Sequence, residues 1–275
     1  MRRKLVFGIL FLLLCFSLSA QAGFRIFLEE SGGELTIVRS EGNVKELVIP
    51  ESINDRPITA IGEGAFTRRG LTLVTIPDSV TEIREGAFSF NELTALVIGN
   101  SVETIGRNAF SNNKLNDLSI GTGVISIGMG AFADNELANL VIPDSVVSIE
   151  PYAFFNNRLT VVNIPDNVTI IGEGAFSTNR IYSVVIGGSV EAIGDGAFYN
   201  NRITSISIPG SLSDLGKRVF ESRITRRGSV PPVDYLDETG EVIYTTANNF
   251  DTYFASTGKR AGRYTYSRDG WVFEE

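Results

Sequence analysis

Residues 159–180 read LTVVNIPDNVTIIGEGAFSTNR, and variants of this string follow one another head to tail through the middle of the chain. The aromatic residue marks the period: Phe66, Phe88, Phe110, Phe132, Phe154, Phe176, Phe198 and Phe220 are each 22 residues apart. Ala65, Ala87, Ala109, Ala131, Ala153, Ala175 and Ala197 precede the first seven, and Val219 precedes the last. With Leu71 as position 1, residues 71–224 divide into seven units of 22 with no insertion or deletion. An eighth coil, Val44 to Gly70, carries five extra residues around Asn54-Asp55-Arg56-Pro57 and still keeps Phe66 in phase. A fixed period of this length is the signature of a solenoid, whose units bury their apolar faces only against their neighbours.

Within a unit the apolar positions are 1, 4, 6, 10, 13, 17 and 18. Positions 4 and 6 alternate as a strand does, as in Leu96 and Ile98 or Val184 and Ile186. Position 7 is always Pro or Gly and ends that strand: Pro77, Gly99, Gly121, Pro143, Pro165, Gly187 and Pro209. Gly106, Gly128, Gly172, Gly194 and Gly216 at position 14 suit a short helical or 3₁₀ turn beside the Ala-Phe pair. Asn91, Asn113, Asn135, Asn157, Asn179 and Asn201 form a column at position 21, just before the Leu or Ile that opens the next unit. An amide at such a corner hydrogen-bonds turn backbone and the next coil, so the column reads as a structural ladder in preference to a metal or glycan site. The Phe column reads as core, because the small residue before each ring indicates close packing.

The pattern Leu-x-x-Val-x-Ile-Pro-Asp-Ser-Val-x-x-Ile-Gly-x-x-Ala-Phe resembles the leucine-rich repeats of BspA-like bacterial surface proteins. The resemblance covers residues 44–224 and departs at position 21, where the family often has Cys and this chain has Asn. It implies a right-handed leucine-rich repeat solenoid with one parallel β-strand per coil and short helical, 3₁₀ or extended segments on the convex side. At a strand spacing of about 4.8 Å, eight coils would be roughly 40 Å long.

Both ends of such a stack need caps. Residues 23–43 supply one: Phe24 to Leu28 and Glu34 to Arg39, separated by Ser31-Gly32-Gly33, read as a β-hairpin. Residues 225–275 supply a small β-rich C-terminal cap, entered through Arg226-Arg227-Gly228-Ser229 and Pro231-Pro232. In it, Glu241 to Thr245 and Arg263 to Ser267 look strand-like, and Asp269-Gly270 turns the chain towards Trp271 to Phe273.

The start of the chain reads as an address. Arg2, Arg3 and Lys4 precede an apolar run from Leu5 to Leu18, and Ala20-Gln21-Ala22 supplies the small-x-small pattern of a signal peptidase site, placing cleavage after Ala22. The run is short for a membrane span, and no later stretch is long enough for one. Cys15 follows Leu14, where a lipidation motif has a small residue, so it reads as an ordinary apolar signal residue and not as a lipoprotein anchor.

Composition narrows the chemistry. The chain has 275 residues, a formal net charge of −8, no His, and Cys15 as its one Cys. Histidine-based triads, Cys/His zinc sites and intrachain disulfides are thereby excluded. The acidic balance argues against non-specific nucleic-acid binding. Gly172-Glu173-Gly174 and Gly194-Asp195-Gly196 lack a following Gly-Lys-Ser/Thr and do not make a phosphate loop. No cofactor is expected.

A partner would meet the strand positions that face outward along the concave side. These are Leu73, Thr75, Val97, Asp117, Ser119, Asn139, Val141, Val161, Asn163, Ser183, Val185, Ser205 and Ser207, a small-sided, nearly uncharged face suited to a broad protein contact. Position 22 changes from Glu92, Lys114 and Glu136 to Arg158, Arg180 and Arg202, a basic edge for an acidic partner or anionic glycan, or else a solvated rim. The expected function is an exported, non-catalytic interaction scaffold. The family resemblance implies adhesion to protein or glycan ligands on host or bacterial surfaces, with the cell surface, secretion or the periplasm as destinations. A periplasmic envelope-assembly protein and a carbohydrate-active solenoid enzyme are the alternatives. The enzyme would need a carboxylate cluster on one strand face, where Asp117 is the one acid at positions 3 and 5.

Overall fold

The computed structural model describes residues 24–221 and the strands at 235–236, 242–243, 262–267 and 270–274. The expected signal segment with Cys15, and Arg226 and Arg227, lie outside the described residues.

The repeat folds as a parallel β-solenoid. Positions 3–5 of the early coils form the parallel strands Glu46–Val48, Leu73–Thr75, Ala95–Val97 and Asp117–Ser119, joined in that order into one sheet. Position 4 points inward in most of them, so Val74, Leu96, Val162, Val184 and Ile206 are at most 1% exposed. A second set of strands, each two residues long at positions 12–13, is not apparent in the sequence. Glu82–Ile83, Thr104–Ile105, Ser126–Ile127, Ser148–Ile149, Ile170–Ile171, Ala192–Ile193 and Asp214–Leu215 pair in parallel without interruption. Every partner in this ladder is 22 residues away, for example Ile127 against Ile149 and Ile171 against Ile193. The five extra residues of the first coil fold into a hairpin in which Ser52–Ile53 pairs with Arg56–Ile61 around Asn54 and Asp55. Both turn residues have positive φ, 51° and 61°, as a two-residue hairpin turn requires.

Beside the Ala-Phe pair the chain makes turns, and no helix occurs among the described residues. Of the segment types expected there, turns and extended pieces are realised and the helical or 3₁₀ turn is not. The physical reason is a left-handed residue twice per coil. Position 16 has positive φ at Gly86, Asn108, Gly130, Tyr152, Gly174, Gly196 and Arg218, and position 20 does so at Phe90, Asn112, Asp134, Asn156, Thr178 and Asn200. A helical run does not pass through such a residue. The close approach lies at position 14, where a Cβ on Gly106 would fall 2.7 Å from the carbonyl carbon of Arg84 one coil earlier.

Two columns hold the coils in register. All eight Phe rings stack, with neighbouring centroids 4.9–5.5 Å apart and planes within 13° of parallel. Each is at most 2% exposed. The Asn column saturates the turn beside them. Asn135 Nδ2 donates to the carbonyl of Phe110 at 3.0 Å and to that of Phe132 at 3.1 Å, while its Oδ1 accepts from the Leu115 amide at 3.0 Å. The same three bonds recur at Asn113, Asn157, Asn179 and Asn201. The ladder therefore ties each coil to the one before it, where the sequence suggests the one after.

The caps close the stack at both ends. Arg25–Ser31 and Glu34–Glu41 form the expected hairpin, and its second strand pairs with Arg56–Ile61. Gly262–Ser267 lies antiparallel on Ser205–Ile208 and turns back into Gly270–Glu274, burying Tyr264 completely. The strand-like reading of the tail is thus realised on the edge of the 3–5 sheet. That sheet is interrupted once: residues 139–141 form no strand, and Leu118, Ile120 and Leu140 are only half-buried there. The coil stays anchored by the bonds from Glu136 N to Leu115 O and from Arg158 N to Leu137 O.

Phe132→Ala is expected to lower stability by about 3–5 kcal/mol through the cavity left between Phe110 and Phe154. Asn135→Ala should cost at least the ~1–3 kcal/mol of one unsatisfied buried group, because Leu115 N and two Phe carbonyls lose their side-chain partner. Equilibrium unfolding in denaturant checks both; a midpoint equal to the parent's would remove that column from the core account.

Candidate interaction surface

On the 3–5 strands, alternation sends positions 4 and 6 into the core and positions 3 and 5 outward. The predicted face is there: Asp117, Ser119, Asn139, Val141 and Asn163 are exposed, and Leu73, Thr75, Val161, Ser183, Ser205 and Ser207 are half-buried beside their neighbours. The register brings its parts together in two patches. Glu46–Val48 to Asp117–Ser119 make the first, Val161–Asn163 to Ser205–Ile208 the second, and residues 139–141 separate them.

One member of this face escapes a unit-by-unit reading of the sequence. In stacking order position 5 is Val48, Thr75, Val97, Ser119, Val141, Asn163, Val185 and Ser207, so valine and a hydrogen-bonding side chain alternate coil by coil. Val48 belongs to the irregular first coil and is out of phase by the inserted hairpin, which hides it from the 22-residue count. The four valines are 56%, 44%, 82% and 46% exposed, which makes them a stripe of apolar groups in water. At two coils per step they are about 10 Å apart.

The basic edge is also assembled. Backbone bonds from Arg158 N to Leu137 O, Arg180 N to Leu159 O and Arg202 N to Ile181 O place the three arginines on consecutive coils. All three are exposed, and Arg158 pairs with Glu136 at 2.9 Å. An exposed pair of this kind contributes little to folding. No group of three or more His, Cys, Asp or Glu placed to hold a metal occurs among the described residues. No helix among them is long and apolar enough to cross a membrane.

A parallel solenoid with a 22-residue register, an inward Leu/Ile/Val framework and an Asn corner defines a leucine-rich repeat protein. Residues 39–157 and 103–226 match the BspA type leucine rich repeat region, in six copies, and the chain belongs to that family. Among solved structures it is similar to a leucine-rich repeat protein from Bacteroides ovatus, with 24% identity, a TM-score of 0.62, and coverage of 75% of this chain and 57% of that one. It is also similar to the pneumococcal vaccine antigen PcpA, with 17% identity, a TM-score of 0.55, and coverage of 73% of this chain and 66% of that one. At these identities the likeness is one of fold, and the chain spans less than two thirds of either protein's length. Curated proteins give no match.

Arg158→Ala should change unfolding free energy by less than about 1 kcal/mol, since its partner Glu136 stays hydrated. Denaturant titration measures this, and a larger loss would mean that the edge is structural.

Proposed function

We propose that this BspA-type chain is a non-catalytic surface scaffold, exported through its N-terminal segment, that binds a protein on a host or bacterial surface along its 3–5 strand face. The observation that carries this reading is the valine stripe of Val48, Val97, Val141 and Val185. Exposed apolar groups in a solvated sheet gain nothing from folding, whereas a partner that covers them gains about 25 cal/mol for each Å² of apolar surface removed from water. The Thr, Ser and Asn side chains between them supply hydrogen bonds that fix the partner's register. Asp117 is the one carboxylate at positions 3 and 5 of the regular units, which gives acid/base chemistry on this face no couple to work with.

Two results are expected. Intact cells treated with protease should lose the protein, whereas a periplasmic protein would survive. Pull-downs with immobilised full chain against envelope and host matrix proteins should capture a partner that the double variant Val97→Asp, Val141→Asp captures at least tenfold less, with an unchanged thermal melt. Capture unaffected by the double substitution would exclude this face.

A further inference from the structure

The side of the coil built by positions 15–19 carries large side chains at position 16 in two of the last four coils. Position 16 runs Tyr152, Gly174, Gly196 and Arg218 through the last four coils. All four sit in the left-handed region, with φ of 59°, 58°, 57° and 56°. The left-handed corner is common to every coil, and glycine accepts it without cost, whereas Tyr152 and Arg218 place a ring and a guanidinium on it. Between these side chains the surface holds an open slot of about 480 Å³.

The walls of the slot are fixed. The Tyr152 ring lies over Gly174, where a Cβ would fall 2.5 Å from its Cε1. Its ring meets Phe155 edge-on at 6.0 Å between centroids, and its hydroxyl donates to Glu173 Oε1. That hydrogen bond, followed by burial, raises the Tyr152 pKa above its ordinary value of 10.0. Neutral Tyr152 is therefore the form the fold favours, and its contribution is present throughout the range below pH 10, where the unfolded side chain is neutral too. At the far end Arg218 covers the Tyr199 ring, 4.9 Å from its centroid, and bonds Glu221 at 2.8 Å. Glu173, Asp195 and Lys217 stand on the rim.

From this geometry we propose that the slot between Tyr152 and Arg218 binds a neutral saccharide of about two rings. The electron-rich face of an immobilised Tyr attracts the electropositive C–H face of a pyranose. Carboxylates that accept and cations that donate, both on the rim, satisfy ring hydroxyls of either polarity. Existing bonds weigh against the other ligand that aromatic rings and acids suit, a lysine- or arginine-bearing peptide: Glu173 already accepts from the Tyr152 hydroxyl, Asp195 from the Lys217 amide and Glu221 from Arg218. Tyr199 is already covered by Arg218, and Lys217 lines the slot as well, so an incoming cation finds that ring face occupied by a cation of the chain. The slot runs along the Gly174 and Gly196 coils, about 10 Å at roughly 4.8 Å per coil. The slot is separate from the valine stripe and its occupancy does not depend on a partner there.

The test is saturation-transfer NMR on the chain with cellobiose, maltose, lactose and N,N′-diacetylchitobiose, and with a lysine-rich peptide as comparison. Tyr152→Gly is the variant, since it gives this coil the residue that Gly174 and Gly196 already carry at the same φ, and its thermal melt is recorded beside the parent's so that lost binding is told from lost fold. Transfer to at least one disaccharide is expected, weakened at least tenfold in Tyr152→Gly. No transfer to any of the four, equal transfer in the variant, or binding of the lysine peptide in their place would overturn the proposal. Capture of a protein partner lost in Val97→Asp, Val141→Asp but kept in Tyr152→Gly would show that the two sites act independently.

Discussion

The structure depends on one shared hydrogen-bond node. An Asn amide at position 21 donates to two Phe carbonyls in successive coils and accepts the amide of the Leu or Ile that opens its own unit. Its two donors and its acceptor are all used. Asp would lose both donors, and a hydroxyl or thiol offers one. Because those carbonyls belong to the stacked Phe column, the same node fixes the height at which every ring sits on the next, about 5 Å. Within the regular units a return after a different number of residues misaligns the amide bonds and the ring contacts together; the five extra residues of the first coil avoid this by folding out as a hairpin ahead of Phe66.

That constraint divides the repeat into columns that build and columns that are free. Positions 1, 4, 6, 10, 13, 17, 18 and 21 are occupied by one residue type, or nearly so, in coil after coil, and they face the core or the corner. Positions 5, 16, 19 and 22 vary, and they are where the valine stripe, the Tyr152–Arg218 slot and the arginine edge occur. The stack supplies a rigid frame with a rise of about 4.8 Å per coil, and each variable column writes one side chain at each step. A surface of this kind lends itself to long, repetitive contacts. The slot is the exception, a concavity bounded by Tyr152 at one end and Arg218 at the other.

Much of this was legible in the sequence because the repeat amplifies weak signals. A single Phe says little; eight at one spacing, each after a small residue, require a packed column, and the rings do stack. The two hairpins at the ends were legible from Gly32-Gly33 and from Asp269-Gly270. The two-residue strands at positions 12–13 were not, because alternation over two residues has no period to detect. The left-handed corners left a trace in the Gly at positions 64, 86, 130, 174 and 196 and in the Asn and Asp of position 20, but the glycines of position 14 drew attention to the wrong turn. Val48 and the slot were hidden for a different reason. They exist only when coils are read across the stack, from residues 22 or more apart, and the inserted hairpin puts the first coil out of count.

The most direct measurement compares two internal deletions by circular dichroism and thermal unfolding. Removing residues 115–136 excises one whole unit and joins Lys114 to Leu137, so Asn113 and Asn157 meet in register; the shortened chain should keep its β spectrum and a single cooperative transition. Removing residues 115–134 breaks that register and should abolish the transition. A chain lacking 115–134 that melts as sharply as one lacking 115–136 would contradict the claim that the Asn-Phe node holds the coils together.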